Sequence, residues 1–402
     1  MNSLGIDKPA SETLVVAALS GGVDSSVTAA LLVEEGYQVI GVTLQLYDSA
    51  EQGKALRSCC GSRDISDARK VCEKLKIRHH VLNYEKRFRE DVIDDFVDSY
   101  VQGETPIPCV RCNQTVKFRD LFKIAKELGA DALATGHYAQ RIMGKNGPEL
   151  HKAEDSGRDQ SYFLFSTTKE QLDFLRFPIG GMKKTTTRGL ARKFNLVVSE
   201  KPDSQDICFV PNGDYASLVR KLSSHPIKKG KIIHIDGTVL GEHEGIIHYT
   251  IGQRRRIGLG ARSGPQEEPL YVIRLDAETD QVIVGPFSAL KKNHLRIKDL
   301  NWLGPGEAIP KEGITAHVKL RSTQQAVGAK IVGDESKADV FLDLPEPGVA
   351  RGQACVFYSG NCMLGGGWIT HKDLENYESK YRDPIKGSFE DIDIISMGPP
   401  SS

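Results

Sequence analysis

Ala18-Leu19-Ser20-Gly21-Gly22-Val23-Asp24-Ser25-Ser26 is the stretch from which the rest of the chain can be read. Ahead of it, Leu14 to Leu19 is apolar and short enough for a buried strand. Behind it, Val23, Val27, Ala30 and Leu31 recur at helical spacing, and Gly36 offers a C-terminal cap. The stretch is therefore a strand, a glycine turn and a helix N-terminus. That arrangement aims free backbone N–H groups, and about half a positive charge from the helix dipole, at one point. Two glycines let backbone approach a phosphate, and Ser20, Ser25 and Ser26 add hydroxyls. A Walker A loop is excluded, because Val23 and Asp24 stand where Gly-Lys-Ser/Thr would have to end. Two adjacent glycines do not make a dinucleotide fingerprint either. The plain alternative is a tight turn with no ligand.

From the loop to about residue 140 strand and helix alternate. Gln38 to Leu44 reads as a strand, then a helix with Ile65, Ala68, Val71 and Leu75 on one face, then a strand from His79 to Leu82. Helices follow over about 88–100 and 115–128, and Ala132 to Thr135 is a fourth strand. This rhythm predicts an α/β fold, a parallel sheet with helices on both faces, whose ligands sit at the carboxyl ends of strands. Three features fall there: Ser20-Gly21-Gly22, Leu44 and Thr135-Gly136-His137. His137 is a functional candidate, against a loop histidine capping the sheet.

Met143 to Asp155 reads as a polar connection, followed by helices to about Leu222. From Lys228 short strands divided by glycines take over. Four segments are expected: an α/β catalytic domain over 12–219, a small β-rich module over 220–290, a β-barrel over 291–375, and a charged, then Gly/Pro/Ser-rich tail over 376–402 without order.

In 402 residues Lys+Arg and Asp+Glu both number 53, so a nucleic-acid partner must be held by local basic patches such as Lys183-Lys184, Arg254-Arg255-Arg256 and Lys291-Lys292. For any one of these, solvated surface charge is the simpler reading. Neither a secretory leader nor a membrane-length apolar run is evident, which predicts a cytoplasmic protein. Its eight cysteines then point to chemistry or metal, not to structural disulfides. Cys109-Val110-Arg111-Cys112 precedes a helix, where the dipole and an arginine should lower a thiol's pKa. Cys208 follows in a charged, turn-forming segment. Half a zinc site with Cys59-Cys60, a redox pair, or an iron–sulfur cluster on Cys109, Cys112 and Cys208 are the other readings. Cys72 reads as helix core, Cys355 and Cys362 as barrel packing.

The glycine loop resembles the pyrophosphate loop of the N-type ATP pyrophosphatases, which split ATP between its α and β phosphates. Together with Thr105 to Asn113, Thr135 to Tyr138, Arg158 to Leu164, Asp203 to Phe209, Tyr249 to Arg254 and Pro347-Gly348 to Phe357, it resembles the bacterial and organellar tRNA-specific 2-thiouridylases, most of all their α-proteobacterial branch. The resemblance runs from about Leu14 to Thr370. It implies thiolation of C-2 of the wobble uridine in the anticodon stem-loops of lysine, glutamate and glutamine tRNAs, by an adenylated uridine and a cysteine persulfide. The resemblance implies ATP and Mg²⁺, with ATP held by Ala18, Leu19, Ser20, Gly21, Gly22, Val23, Asp24 and Ser25, by Leu44 and by Gly136. It makes Cys208 the persulfide carrier and Cys112 its disulfide partner. It puts Ile107, Pro108 and Cys109 beside the target base, and His137, Arg158, Asp159, Gln160, Arg321, Ser322 and Gln353 against tRNA. A cysteine desulfurase or a relay protein would supply sulfur, and the chain would act as a monomer. Some members carry an aspartate, a proposed acid/base group, where this chain has Cys109. Competing readings are an amidating ligase of the same ATP class, which needs no paired cysteines, and a non-catalytic RNA-binding or sulfur-carrier protein, which would not turn ATP into AMP.

Overall fold

The computed structural model describes residues 1–46, 62–203, 207–210, 213–259, 268–370, 385–389 and 392–396. Cys59, Cys60 and the segment Ser204 to Asp206, singled out above, lie outside the described residues.

Four parallel strands open the chain: β1 (Leu14–Ala18), β2 (Gln38–Gln45), β3 (Arg78–Asn83) and β4 (Ala132–Ala134). A hairpin of β5 (Gln140–Gly144) and β6 (Gly147–His151) then precedes the short β7 (Leu175–Arg176). The sheet order is β3-β2-β1-β4-β7, all neighbours parallel. Strand order therefore reverses between β1 and β4, and a crevice opens beyond their carboxyl ends. Helix α1 (Val23–Glu34) leaves that crevice directly from β1. It is buried on two faces, which explains why its first turns are almost wholly apolar or small. Ala29 and Leu32 pack with Val15, Ala17 and Val39 of the sheet, whereas Val23, Val27, Ala30 and Leu31 pack with Tyr138, Ile179, Ala191 and Val198. Helix α2 (Ser62–Leu75) follows β2, with Cys72 in the core and its thiol pushed up to about 12 by burial and by Glu73.

The expected α/β class stands, but the polar connection over 143–155 does not. It contains β5 and β6, joined by a two-residue turn with Gly144 opposite Gly147. Lys145 and Asn146 make the turn, and Gly147, with φ +117°, opens β6.

A second sheet follows, ordered β10-β11-β8-β9, from β8 (Gly230–His234), β9 (Val239–His243), β10 (Tyr271–Asp276) and β11 (Gln281–Gly285). Six further antiparallel strands come next: β12 (Lys291–Trp302), β13 (Ile314–Lys319), β14 (Val327–Gly333), β15 (Lys337–Pro347), β16 (Ala354–Ser359) and β17 (Cys362–Thr370). Pairing of β12 with both β15 and β17 closes them into a barrel. Leu295, Ile297, Val318, Ile331, Val340, Cys355 and Phe357 fill it. The hairpin β5–β6 joins its outside edge, His151 pairing with Cys362. Residues 1–370 form one compact unit, and 371–402 another, which holds the strand pair β18 (Ile385–Phe389) and β19 (Ile392–Ser396) in a stretch where the sequence predicts no order.

Candidate active site

The glycine loop spans the crevice. Gly22 caps α1, and Ser26 Oγ donates to the Gly22 carbonyl at 2.7 Å, which closes the first turn. Ser20 stays exposed, its backbone N–H on Ser25 Oγ at 3.2 Å. Gly21 has φ +72°, and a Cβ there would lie 2.2 Å from the Asp64 carbonyl oxygen. Gly136, just past β4, backs the same loop: its Cβ would lie 2.6 Å from the Ser25 nitrogen. Only hydrogen fits at either place, so the loop is pressed between α2 and the β4 turn with its outer side free. Leu44, at the end of β2, is 8% exposed at the crevice. Ala18, Leu19, Val23 and Ser25 form the loop's floor.

Charge gathers behind the loop. The Lys184 ammonium reaches both Asp24 oxygens at 2.8 Å and Asp203 Oδ1 at 2.9 Å. Arg188 and Arg158 meet Asp203 as well, at 2.6 and 3.0 Å. Burial alone would raise the Asp203 carboxyl, but Lys184, Arg188 and Arg158 hold it below its ordinary value. The Tyr138 hydroxyl donates to Asp24 Oδ1 at 3.0 Å and lies 3.0 Å from Thr187 Oγ1, from which it can accept. Lys201 ties the Gly21 carbonyl, at 2.9 Å, to Asp67, at 2.7 Å, and to Asp64. The lysine missing from the loop thus arrives from the helix Lys184–Lys193. Its reading as solvated charge is corrected, since Lys184 is buried whereas Lys183 is exposed.

The cysteines occupy a different environment. Helix covers 108–127, with Pro108 in its first turn and π-type hydrogen bonding over Cys112–Asp120. Cys109 is exposed and Cys112 buried. Cys112 packs in an apolar cluster with Ile107, Val110, Val116, Phe118 and Phe209, and Cys208 borders the same cluster. Phe209 anchors the Cys208 segment edge-on to Phe88 and Phe96, at 5.7 and 5.2 Å. The lowered pKa expected for this pair is corrected at Cys112. Burial pushes its thiol up, and Lys117 offsets this only in part. Cys112 lies a turn inside the helix, and Arg111 faces elsewhere, pairing with Asp95 at 3.4 Å and capping the Trp368 ring at 4.7 Å. Among the described residues, Glu149, His151 and Cys362 are the group of three donors close enough to share an ion; Cys109, Cys112 and Cys208 are not so gathered.

The barrel holds the cysteine segment from the far side. Thr105 donates its N–H to the Arg351 carbonyl at 2.8 Å, and Gln353 Nε2 donates to the Thr105 carbonyl at 3.0 Å. Ile107 and Pro108 are buried beside Cys109. His137 is half-buried, Nδ1 2.9 Å from Thr135 Oγ1, its ring edge-on to Phe118 and Phe177. Burial and Lys117 lower its pKa to about 3, so it is neutral near pH 7. Asp159 accepts from the Ala153 and Ser161 N–H groups, and Gln160 Oε1 from the Tyr138 N–H, so both shape the loop that carries exposed Arg158. Exposed Arg321 donates to the Pro347 carbonyl at 3.3 Å, beside half-buried Ser322.

A parallel sheet with an anion loop at its switch point, a buried lysine–carboxylate network behind the loop, a neighbouring thiol pocket and a closed barrel define a class: an ATP-cleaving α/β domain of the nucleotide-pyrophosphatase type carrying β modules. Family models match the chain in three successive pieces. They are a tRNA methyl transferase HUP domain over 13–212, a tRNA methyl transferase PRC-barrel domain over 222–286 and an aminomethyltransferase beta-barrel domain over 292–369. The tRNA-specific 2-thiouridylase of Rhodospirillum centenum is 55% identical over 93% of this chain and 95% of its own. That of Hyphomonas neptunium is 56% identical over 92% and 94%, and that of Ruegeria pomeroyi 54% over 92% and 98%. The chain belongs to the tRNA-specific 2-thiouridylase family.

Proposed function

We propose that the protein is an ATP-dependent sulfurtransferase that converts the C-2 carbonyl of the wobble uridine in lysine, glutamate and glutamine tRNAs to 2-thiouridine. The observation that carries the reading is the presence, in one compact unit, of a phosphate-shaped glycine loop and of two cysteines, Cys112 inside and Cys208 at the edge of the main hydrophobic core. A uracil carbonyl is a poor electrophile. Attack of its oxygen on the α-phosphate of ATP expels pyrophosphate and turns that oxygen into AMP, a leaving group. Ser20, Gly21, Gly22 and the α1 N-terminus would cradle the pyrophosphate, with Leu44 against adenine and Lys184 supplying positive charge. Asp24 is the carboxylate at the loop that would take Mg²⁺.

Cys208 carries a persulfide supplied by a cysteine desulfurase or a relay protein. Its terminal sulfur attacks C-2. The Cys112 thiolate then attacks the Cys208 sulfur, so that a Cys112–Cys208 disulfide forms, the sulfur stays on C-2 and AMP departs. An external thiol reduces the disulfide. The chain runs this cycle as a monomer. Ile107, Pro108 and Cys109 border the base, and the exposed side of Arg158, His137, Gln353, Arg321 and Ser322 grips the stem-loop. Neutral His137 would donate or accept a hydrogen bond there without adding charge. The ligase and carrier readings are tested together: stem-loop-dependent ATP–pyrophosphate exchange persists in Cys208→Ser while thiolation is lost. Exchange without need for RNA, or thiolation in Cys208→Ser, would overturn the assignment.

A further inference from the structure

We propose that Glu149, His151 and Cys362 bind one zinc-class divalent cation across the seam between the α/β part and the barrel. Glu149 and His151 lie two apart on β6, so they project from the same face of that strand. Cys362 opens β17 and is the ladder partner of His151, which brings its side chain to that face too. All three donor atoms lie within 4.8 Å of one another, and His151 Nε2 is 2.9 Å from Glu149 Oε2. The remaining nearby cation turns away: Lys152 reaches the Gly360 carbonyl at 3.0 Å and caps the Tyr358 ring.

A thiolate, an imidazole and a carboxylate suit zinc, which takes them at about 2.0–2.3 Å in a tetrahedron, and suit magnesium or calcium poorly. Three protein ligands leave one place for water. The site is shielded but reachable, with the His151 and Glu149 side chains 17% and 39% exposed. The position gives the ion a task. Along this edge β6 meets β17 in one ladder pair, His151–Cys362, next to the Lys152 N–H on the Asn361 carbonyl at 2.9 Å, so an ion held by both strands would staple the hairpin to the barrel more firmly. None of the three residues belongs to the ATP, sulfur or tRNA assignments above.

The test is a Co²⁺ titration of the reduced, metal-free full chain. One equivalent should give visible bands of a four-coordinate ion and a near-ultraviolet thiolate-to-cobalt band, both displaced by Zn²⁺. Cys362→Ser should lose the thiolate band, and His151→Ala and Glu149→Gln should each weaken binding by at least about tenfold, whereas Cys112→Ser should keep the full spectrum. Zn²⁺ should raise Tm in the parent chain and not in Cys362→Ser. Absence of a thiolate band at one equivalent would overturn the proposal. So would its survival in Cys362→Ser, which would place the metal on other cysteines, or unchanged affinity in both His151→Ala and Glu149→Gln.

Discussion

The loop and the cysteine pocket face the same reaction from opposite physical conditions. The loop is polar, fixed and tied from behind by charge: Lys184 on Asp24 and Asp203, Lys201 on Gly21 and Asp67. The pocket is apolar, with Cys112 buried and its thiol pushed above its ordinary value. Adenylation needs charge held in place, and a prebuilt electrostatic cradle supplies it without reorganisation. Sulfur transfer needs a thiolate, and a buried thiol does not ionise readily. The difference teaches that, on the proposed mechanism, the cradle for the first half-reaction is already built, whereas the second would require Cys112 to gain water or positive charge when RNA docks.

The largest effect that would break this contrast comes from crossing the two sites. Asp24→Ala should lower AMP formation by about 10³-fold, and Cys208→Ser should abolish thiolation while AMP formation persists, both read by single-turnover chromatography. Equal loss of both activities in both variants would erase the distinction. Lys184→Met should come next. It leaves Asp24 and Asp203 facing each other, and should cost about 3 kcal/mol of stability in urea unfolding, together with most ATP cleavage. Gly136→Ala should slow ATP cleavage by about 10²-fold through displacement of the Ser25 backbone, with thiol reactivity unchanged. A milder comparison lies within the pocket. Iodoacetamide at pH 8 should modify exposed Cys109 before Cys112, by mass mapping, and an anticodon stem-loop should narrow the gap. Equal rates in the free protein would show that Cys112 is not held protonated.

The smallest effect concerns His137. Its folded pKa of about 3 lies below the ordinary 6.5, so between those values the unfolded chain binds the extra proton. The contribution to stability is present above about pH 6.5 and is lost as pH falls toward 3. His137→Asn should flatten the acid side of the stability–pH curve, measured as denaturation midpoints from pH 7 to 4.

Much of this was legible in the sequence, and the reasons are local. A strand, two glycines and a helix start are fixed by neighbours in the chain, so the loop, its place at the end of β1, and Gly136 beside it could be read directly. The hairpin β5–β6 was legible in principle at its turn, Lys145-Asn146 between two glycines, but its strands are short and half-exposed and lack an apolar stripe. Lys184 looked like surface because nothing within ten residues reveals its partners. Asp24 is 160 residues away, and the pairing exists only once the helix Lys184–Lys193 crosses α1. The Cys112 environment was misjudged for a similar reason. Its neighbour Arg111 suggested a positive field, and tertiary packing sends that guanidinium to Asp95 and Trp368.

The most direct measurement is a single turnover with ATP, Mg²⁺, a persulfide-loaded enzyme and an unmodified anticodon stem-loop of lysine tRNA, reading AMP and thiolated nucleoside from the same quench. The account predicts one AMP for each 2-thiouridine, with the Cys112–Cys208 disulfide appearing in step. AMP without thiolated nucleoside, or 2-thiouridine formed without AMP, would contradict it.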